Sequence, residues 1–231
     1  MGLRQELENK VDNTFGSQWK FVEARVVPDA KNIGAGNIGK RITATVMYAD
    51  LDSSTALVAG YKDWFAAEVY KSFLYCASRL IRGEGGEIRS FDGDRVMGVF
   101  TGDTPNTDAV KAALKLNWAV KNIVNPKIAA RYSTPYVVKH TVGIDTSDLL
   151  VVNAGVRGDN DLSWIGNSAN LAAKLNSLPS EYPTWITHRV YERLGDTGKV
   201  SSKHRTPMWE SRRWTSMNNM KIYRSNWSWV I

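Results

Sequence analysis

Cysteine occurs once among these 231 residues, as Cys76, so the chain cannot close a disulfide within itself. That suits a reducing compartment, and a cytoplasmic location is the expectation. Cys76 falls inside a helical pattern, where a buried thiol packs as a small inert hydrophobe and not as a nucleophile. Long apolar runs are missing too: none approaches the roughly 20 residues that span a bilayer, which argues against a membrane protein. The opening stretch, MGLRQELENKVDNTF, is charged throughout and lacks the apolar core of a signal peptide. Its Met-Gly start does not complete a myristoylation signal, because Glu6 stands where Ser or Thr belongs. Internal repeats and low-complexity segments are also absent.

What is present suffices for a full core, with 43% hydrophobic residues in one domain-sized chain. The net charge of +7 favours an anionic partner such as a nucleotide or nucleic acid, or else a solvated basic face. Lys and Arg concentrate mildly over residues 199–224.

Residues 3–15 set Leu3, Leu7 and Val11 on one stripe, predicting a short amphipathic helix that serves as an appended packing or dimer element. A polar, glycine-rich loop covers 28–40. RITATVMYAD then reads as a strand ending at Asp50, and 54–82 as one long helix with Ser53 or Ser54 at its N-cap. A hairpin follows, then a helix over 107–123 stopped by Pro126. A strand pair is expected over 137–146 and 149–155, and a short strand, LSWIG, leads into a helix over 167–178 ended by Pro179. The tail from residue 180 adds a small helix and a last hairpin around SMNNMKIY. The order β-α-β-β-α-β predicts an α+β fold of the ferredoxin-like or palm type, an antiparallel-rich sheet with helices on one face.

Four stretches carry the chemistry. In RSFDGDRVMGVF, Asp92-Gly93 reads as a two-residue hairpin loop, which leaves Asp94 opening a strand where a carboxylate is disfavoured. GAGNIGKR looks like a phosphate-binding loop up to its lysine. Arg41 stands where Ser or Thr should ligate magnesium, however, and the stretch precedes a strand instead of opening a helix, so it reads as a plain loop. In YADLD, Tyr48 and Asp50 alternate on one strand face, and Asp50 at the strand end can approach Asp94. Two close carboxylates repel unless cations share them, which points to hard divalent ions, Mg2+ or Mn2+. Asp52 is assigned to capping the following helix. In SWIGNSANLAAKLNSL, Asn170 and Lys174 lie one helical turn apart, a candidate phosphate clamp.

YADLDSST, FDGDRVMGVF and WIGNSANLAAKL, in this order and spacing, resemble the class III nucleotidyl cyclase catalytic domain over about residues 41–178. The division that follows is an N-terminal helix and loop extension, 1–40, before a catalytic domain, 41–231. The resemblance implies that Asp50 and Asp94 bind two divalent metal ions, Mn2+ or Mg2+, with the Leu51 carbonyl as an added ligand. It implies that Asn170 orients the ribose, and that Lys174 stands in for an arginine on the transition state, helped by Lys139. It also implies a head-to-tail homodimer with active sites at the interface.

Departures from the family pattern bear on the base. Ser90 and Ser163 occupy the positions of the family's purine-reading residues, DTS (145–147) replaces an HTG turn, and Tyr48 replaces a phenylalanine facing the metals. Lys174 keeps the charge of the arginine it replaces without its planar fork. The stand-alone domain with these substitutions resembles the pyrimidine cyclases of bacterial Pycsar anti-phage systems. That implies conversion of a pyrimidine triphosphate, UTP favoured over CTP, to the 3′,5′-cyclic monophosphate and pyrophosphate, with a separate effector switched on by the product. Two other readings stand beside it. One is an adenylate or guanylate cyclase with atypical base contacts. The other is a non-catalytic nucleic-acid-binding palm-like module using Trp209, Trp214, Trp227 and Trp229 as stacking platforms; the cyclase reading has no nucleic acid partner.

Overall fold

The computed structural model describes residues 2–34, 36–156, 159–203 and 205–231. Its spine is β2 (Ile38–Leu51), a strand buried on both faces. Ile42, Ala44 and Val46 pack on one side, and Met47, Ala49 and Leu51 alternate onto the other. Two-sided burial is why RITATVMYAD is rich in β-branched and apolar residues at successive positions.

Before β2 come α1 (Leu3–Gly16) and β1 (Lys20–Glu23), which pairs in parallel with the start of β2. After it run α2 (Ser54–Gly60), α3 (Asp63–Gly83), β3 (Glu87–Asp92), β4 (Arg95–Phe100), α4 (Pro105–Ala119) and α5 (Asn125–Arg131). Then follow β5 (His140–Val156), β6 (Asp159–Ile165), α6 (Asn167–Leu175), β7 (Thr184–Thr187), α7 (His188–Glu192), α8 (Asp196–Lys199), β8 (Glu210–Trp214) and β9 (Met220–Ser225). The sheet runs β3-β4-β2-β5-β7-β9-β8, with β6 pairing the far half of β5. The βαββαβ order is as expected, but the helices divide between the faces. Cluster residues of α3 and α4 cover Met47 and Ala49, while Ala169 and Ala172 of α6 cover Ala44 and Val46.

Five local expectations change. The helix over 54–82 is two helices, because Gly60 ends α2 and Tyr61 turns extended at φ −130°. Asp52 does not cap it: Ser53 occupies the N-cap position at φ +58°, and the Asp52 carboxylate instead accepts from Ser180 Oγ (2.6 Å) and Ser53 Oγ (3.1 Å). The hairpin loop is Gly93-Asp94, one residue further on, since β3 ends at Asp92 opposite Arg95. A loop that starts at Gly93 needs positive φ only there (+60°), whereas one starting at Asp92 would force it on a non-glycine as well. Pro126 does not stop the helical run. A π-turn over Val120–Val124 carries the chain into α5, where proline sits in the first turn and needs no N–H. The expected strand pair at 137–155 is a single strand, β5, which pairs antiparallel with β6.

α6 rests on β5 at Gly143, where an added Cβ would meet the Ala172 carbonyl oxygen at 2.1 Å. The Ser168 N–H donates to Ser147 Oγ (2.9 Å), fixing the first turn of α6 to β5. Asp145, fully buried, accepts from Thr187 Oγ1 (2.5 Å) and pairs with Arg189, tying α7 to the same strand. The DTS triplet is therefore mid-strand anchoring and not a turn. Helix α1 buries none of its residues, and Asn37 Nδ2 holds its end by donating to the Thr14 and Ser17 carbonyls. Among the described residues no helix is long and apolar enough to cross a membrane.

His140, opposite Leu51 on β2, is 2% exposed and packs on Phe73. Burial, then the Lys121 charge, pushes its pKa down to about 3. An unfolded chain takes up that proton near pH 6.5 and the fold does not, so stability falls as pH drops below 6.5. Between pH 6.5 and 5 this one group costs about 2 kcal/mol. Denaturant titrations at the two pH values should therefore show a shallower acid loss, by that amount, in His140→Gln. An unchanged slope would remove His140 as the cause.

Candidate active site

Asp50 sits one residue from the end of β2, and Asp94 is the second residue of the β3–β4 loop. Since β4 pairs with β2 through Ala49↔Val96, the hairpin tip lies beside the strand end. The two carboxylates feel one another. The Asp50 pKa is pushed up to about 6, first by burial and then by the Asp94 charge, while Arg95 and the Leu51 N–H pull it back. Asp94 Oδ2 is buried without a hydrogen-bond partner. Two half-buried acids, one with an orphaned oxygen, form a hard anionic donor set that fits a divalent cation. Among the described residues no cluster of three or more His, Cys, Asp or Glu exists, so a cation here would draw its other ligands from backbone carbonyls, water or the substrate. Leu51, next to Asp50, has its side chain buried and its backbone at the strand end.

Three neighbours escaped the sequence reading. Arg95 bonds Asp92 Oδ2 (2.6 Å) and lies 5.3 Å from the centroid of the Tyr48 ring. Tyr136, its pKa pushed up to about 12 mainly by burial and then by Tyr61, Tyr70, Asp52 and Asp94, joins the acidic end to an aromatic cluster with Tyr61 and Phe65. Asp52 links this end to Ser180. An arginine directly after a loop aspartate was the one available signal.

The remaining residues fall into groups. Tyr48 and Ser90 lie in one cross-strand row, both opposite Met97, and Tyr48 Oη donates to Met97 Sδ (3.2 Å). Ser163 pairs with Val152 and alternates with Leu162 and Trp164, which pack beneath α6 with Tyr48, so within one chain it is apart from that row. Asn170 and Lys174 lie on the exposed side of α6, with Lys174 Nζ 3.9 Å from Met217 Sδ. Among the described residues no hydrogen bond or ion pair joins either of them to Asp50 or Asp94. Lys139 is exposed, and its carbonyl accepts from the Asp52 N–H (2.9 Å), which sets it near the same strand end. Residues 38–41 of GAGNIGKR belong to β2, so no helix N-terminus follows them and no phosphate loop forms. Trp209 and Trp214 are buried, and Trp227 and Trp229 pack against the core. The tail's tryptophans are packing residues, which removes the support for a nucleic-acid stacking platform.

A palm-type sheet with two carboxylates at the end of its central strand and the adjoining hairpin tip defines a class III nucleotidyl cyclase catalytic domain. Solved structures agree on the fold. The adenylyl cyclase CyaB from P. aeruginosa superposes with a TM-score of 0.67 over 81% of this chain and 95% of its own, at 22% identity. The guanylyl cyclase Cya2 does so at 0.68 over 83% and 95%, at 20% identity. No protein-family model matches the chain. Among named proteins, uridylate cyclases from Xanthomonas perforans and Burkholderia cepacia are 50% and 46% identical to it, each over the full length of both chains. The chain belongs to the uridylate cyclase family.

Because the folded pKa of Asp50 lies above its unfolded value, this group favours the fold most at low pH, and that contribution is lost as pH rises through about 6. Asp94→Asn removes part of the cause. The expected result is a metal-free protein at pH 7 that is more stable than the wild type, but which Mn2+ no longer stabilises. Thermal melts with and without Mn2+ measure both. A variant that Mn2+ still stabilises as strongly as wild type would show that Asp94 holds no cation.

Proposed function

We propose that the protein converts UTP to the 3′,5′-cyclic monophosphate and pyrophosphate at a site shared by two copies of the chain. The observation that carries the reading is the Asp50–Asp94 pair, whose mutual repulsion serves no structural end. Asp50 and Asp94, with the Leu51 carbonyl, would hold two divalent ions, Mn2+ or Mg2+. Such ions, when bound, supply the positive charge that acidifies the ribose 3′-hydroxyl and neutralises the triphosphate. Asn170 would orient the ribose from the exposed side of α6. Lys174, one turn on, and Lys139 would place cationic charge against the phosphates, Lys174 without the bidentate fork of an arginine. Among the described residues Asn170 and Lys174 are exposed and make no hydrogen bond or ion pair to Asp50 or Asp94, which supports a head-to-tail homodimer in which one copy holds the cations and its partner brings α6. Tyr48 and Ser90, in one row, would line the base, with Ser163 reaching it from β6. Uracil as the base is supported by 50% and 46% identity, over the full length, to proteins named uridylate cyclase. A separate effector and a role in anti-phage defence rest on the family resemblance.

Two measurements test this. Purified protein given each of the four triphosphates with Mn2+ should form its cyclic product fastest from UTP, identified by mass. A higher kcat/KM for ATP or GTP would overturn the pyrimidine reading and leave a cyclase. Mixing inactive Asp50→Ala with inactive Asn170→Ala should restore about a quarter of wild-type turnover, since half the dimers are mixed and each keeps one intact site. No recovery after demonstrated subunit exchange would mean that each site is built within one chain.

A further inference from the structure

Arg95 is a cation on the sheet face that carries Tyr48, Ser90 and Asp50, and it differs from Arg89, beside Ser90 in the β3 bulge, whose guanidinium is engaged by Glu87 and the Pro28 carbonyl. On that face Tyr48, Met97 and Ser90 form one cross-strand row, and Arg95 pairs with Asp92 in the next. Its position is fixed from two sides. Nη2 donates to Asp92 Oδ2 (2.6 Å), and the guanidinium carbon lies 5.3 Å from the Tyr48 ring centroid. The side chain is about one-third exposed (32%), while its Nε is buried with no hydrogen-bond partner. The guanidinium therefore presents donors that the fold does not use, and it has no acceptor to offer. Asp92, 76% exposed, keeps its second carboxylate oxygen open beside it.

We propose that the Arg95–Asp92 pair reads the edge of the pyrimidine ring and is what sets UTP apart from CTP, a proposal that rests on the pyrimidine cyclase reading above. Uracil shows an acceptor at its 4-position (the carbonyl) and a donor at N3. Arg95 donates to the first and Asp92 accepts from the second. Cytosine inverts both, with an amino donor at the 4-position and an acceptor at N3, so it meets donor with donor and acceptor with acceptor. A site built to hydrogen-bond its ligand rejects the mispaired analogue far more strongly than shape does, because its polar groups are left unpaired. Serine at 90 cannot make this distinction, since a hydroxyl donates or accepts as required. Guanine carries the same acceptor–donor edge as uracil, and the stacked Tyr48–Arg95 wall rejects it by size. The labour is thus divided: the ion pair reads polarity and the tyrosine limits length.

The test is competition kinetics with UTP and CTP on the full-length protein, comparing wild type with Arg95→Gln and Arg95→Lys. Wild type should prefer UTP, and Arg95→Gln should lower the UTP-to-CTP ratio of kcat/KM by at least about tenfold, because an amide can turn to serve either edge. Arg95→Lys keeps the charge but loses the planar fork, and should also relax the ratio while holding more of the UTP rate. If Arg95→Gln slows both substrates by the same factor, Arg95 acts on the cations or the phosphates and the proposal falls. An unchanged ratio in either variant, or a wild type that uses UTP and CTP equally well, overturns it and leaves the pyrimidine reading intact. A wild type that prefers a purine would instead overturn the reading beneath it. Should Arg95→Gln fail to fold by circular dichroism, Arg95→Lys and Asp92→Asn carry the same ratio test.

Discussion

The structure is organised around a repulsion. Asp50 and Asp94 are held near one another by the pairing of β2 with β4, and burial first, then the Asp94 charge, pushes the Asp50 pKa up to about 6. Nothing in the core asks for either acid. Asp50 stands between the buried Ala49 and Leu51 near the end of β2, and Asp94 lies in the tight loop just before Val96, the first buried residue of β4. Such an arrangement persists only because the rest of the fold over-determines it, at a cost in stability.

That over-determination comes from β2. It is paired on both sides along most of its length and buried on both faces, so its register cannot slip without turning a whole row of apolar side chains into solvent. The same register that seats Met47 opposite Gly98 and Ile144 also sets Tyr48, Asp50 and the hairpin rows at one end. On the face that carries Tyr48, Gly143 lets α6 approach until its backbone is in contact with β5, and Ser147 holds its first turn. Asn170 and Lys174 are thereby presented outward on a helix that cannot rotate. A palm-type sheet thus carries the acid pair and the exposed side of α6 on separate elements.

Much of this was legible in the residues. Alternation along RITATVMYAD marked the central strand, the βαββαβ order followed from punctuation by glycine and proline, and an acid left over after turn chemistry pointed to Asp94. The misreadings have physical causes. The hairpin loop shifted by one residue because Gly93 alone can take positive φ without strain, and two neighbouring loops were compatible with FDGD. Pro126 was taken as a stop, since a π-turn that absorbs the proline leaves no mark in a hydrophobic pattern. β5 was split because Asp145, Thr146 and Ser147 look like a turn. Each is polar for a tertiary partner instead: Arg189 and Thr187, Thr45, and Ser168.

By itself the sequence determined the βαββαβ order of the main elements and the identity of the chemical groups. Periodicity and turn residues act over a few neighbours, and they need no partner to be read. Only the tertiary structure decided which groups meet. The coupling of Asp50 to Asp94, the seating of Arg95 against Tyr48, and the close packing of α6 on β5 depend on contacts between residues far apart in the chain. Such contacts arise from strand register and helix packing, which bring a site together across sequence separations that no local pattern encodes.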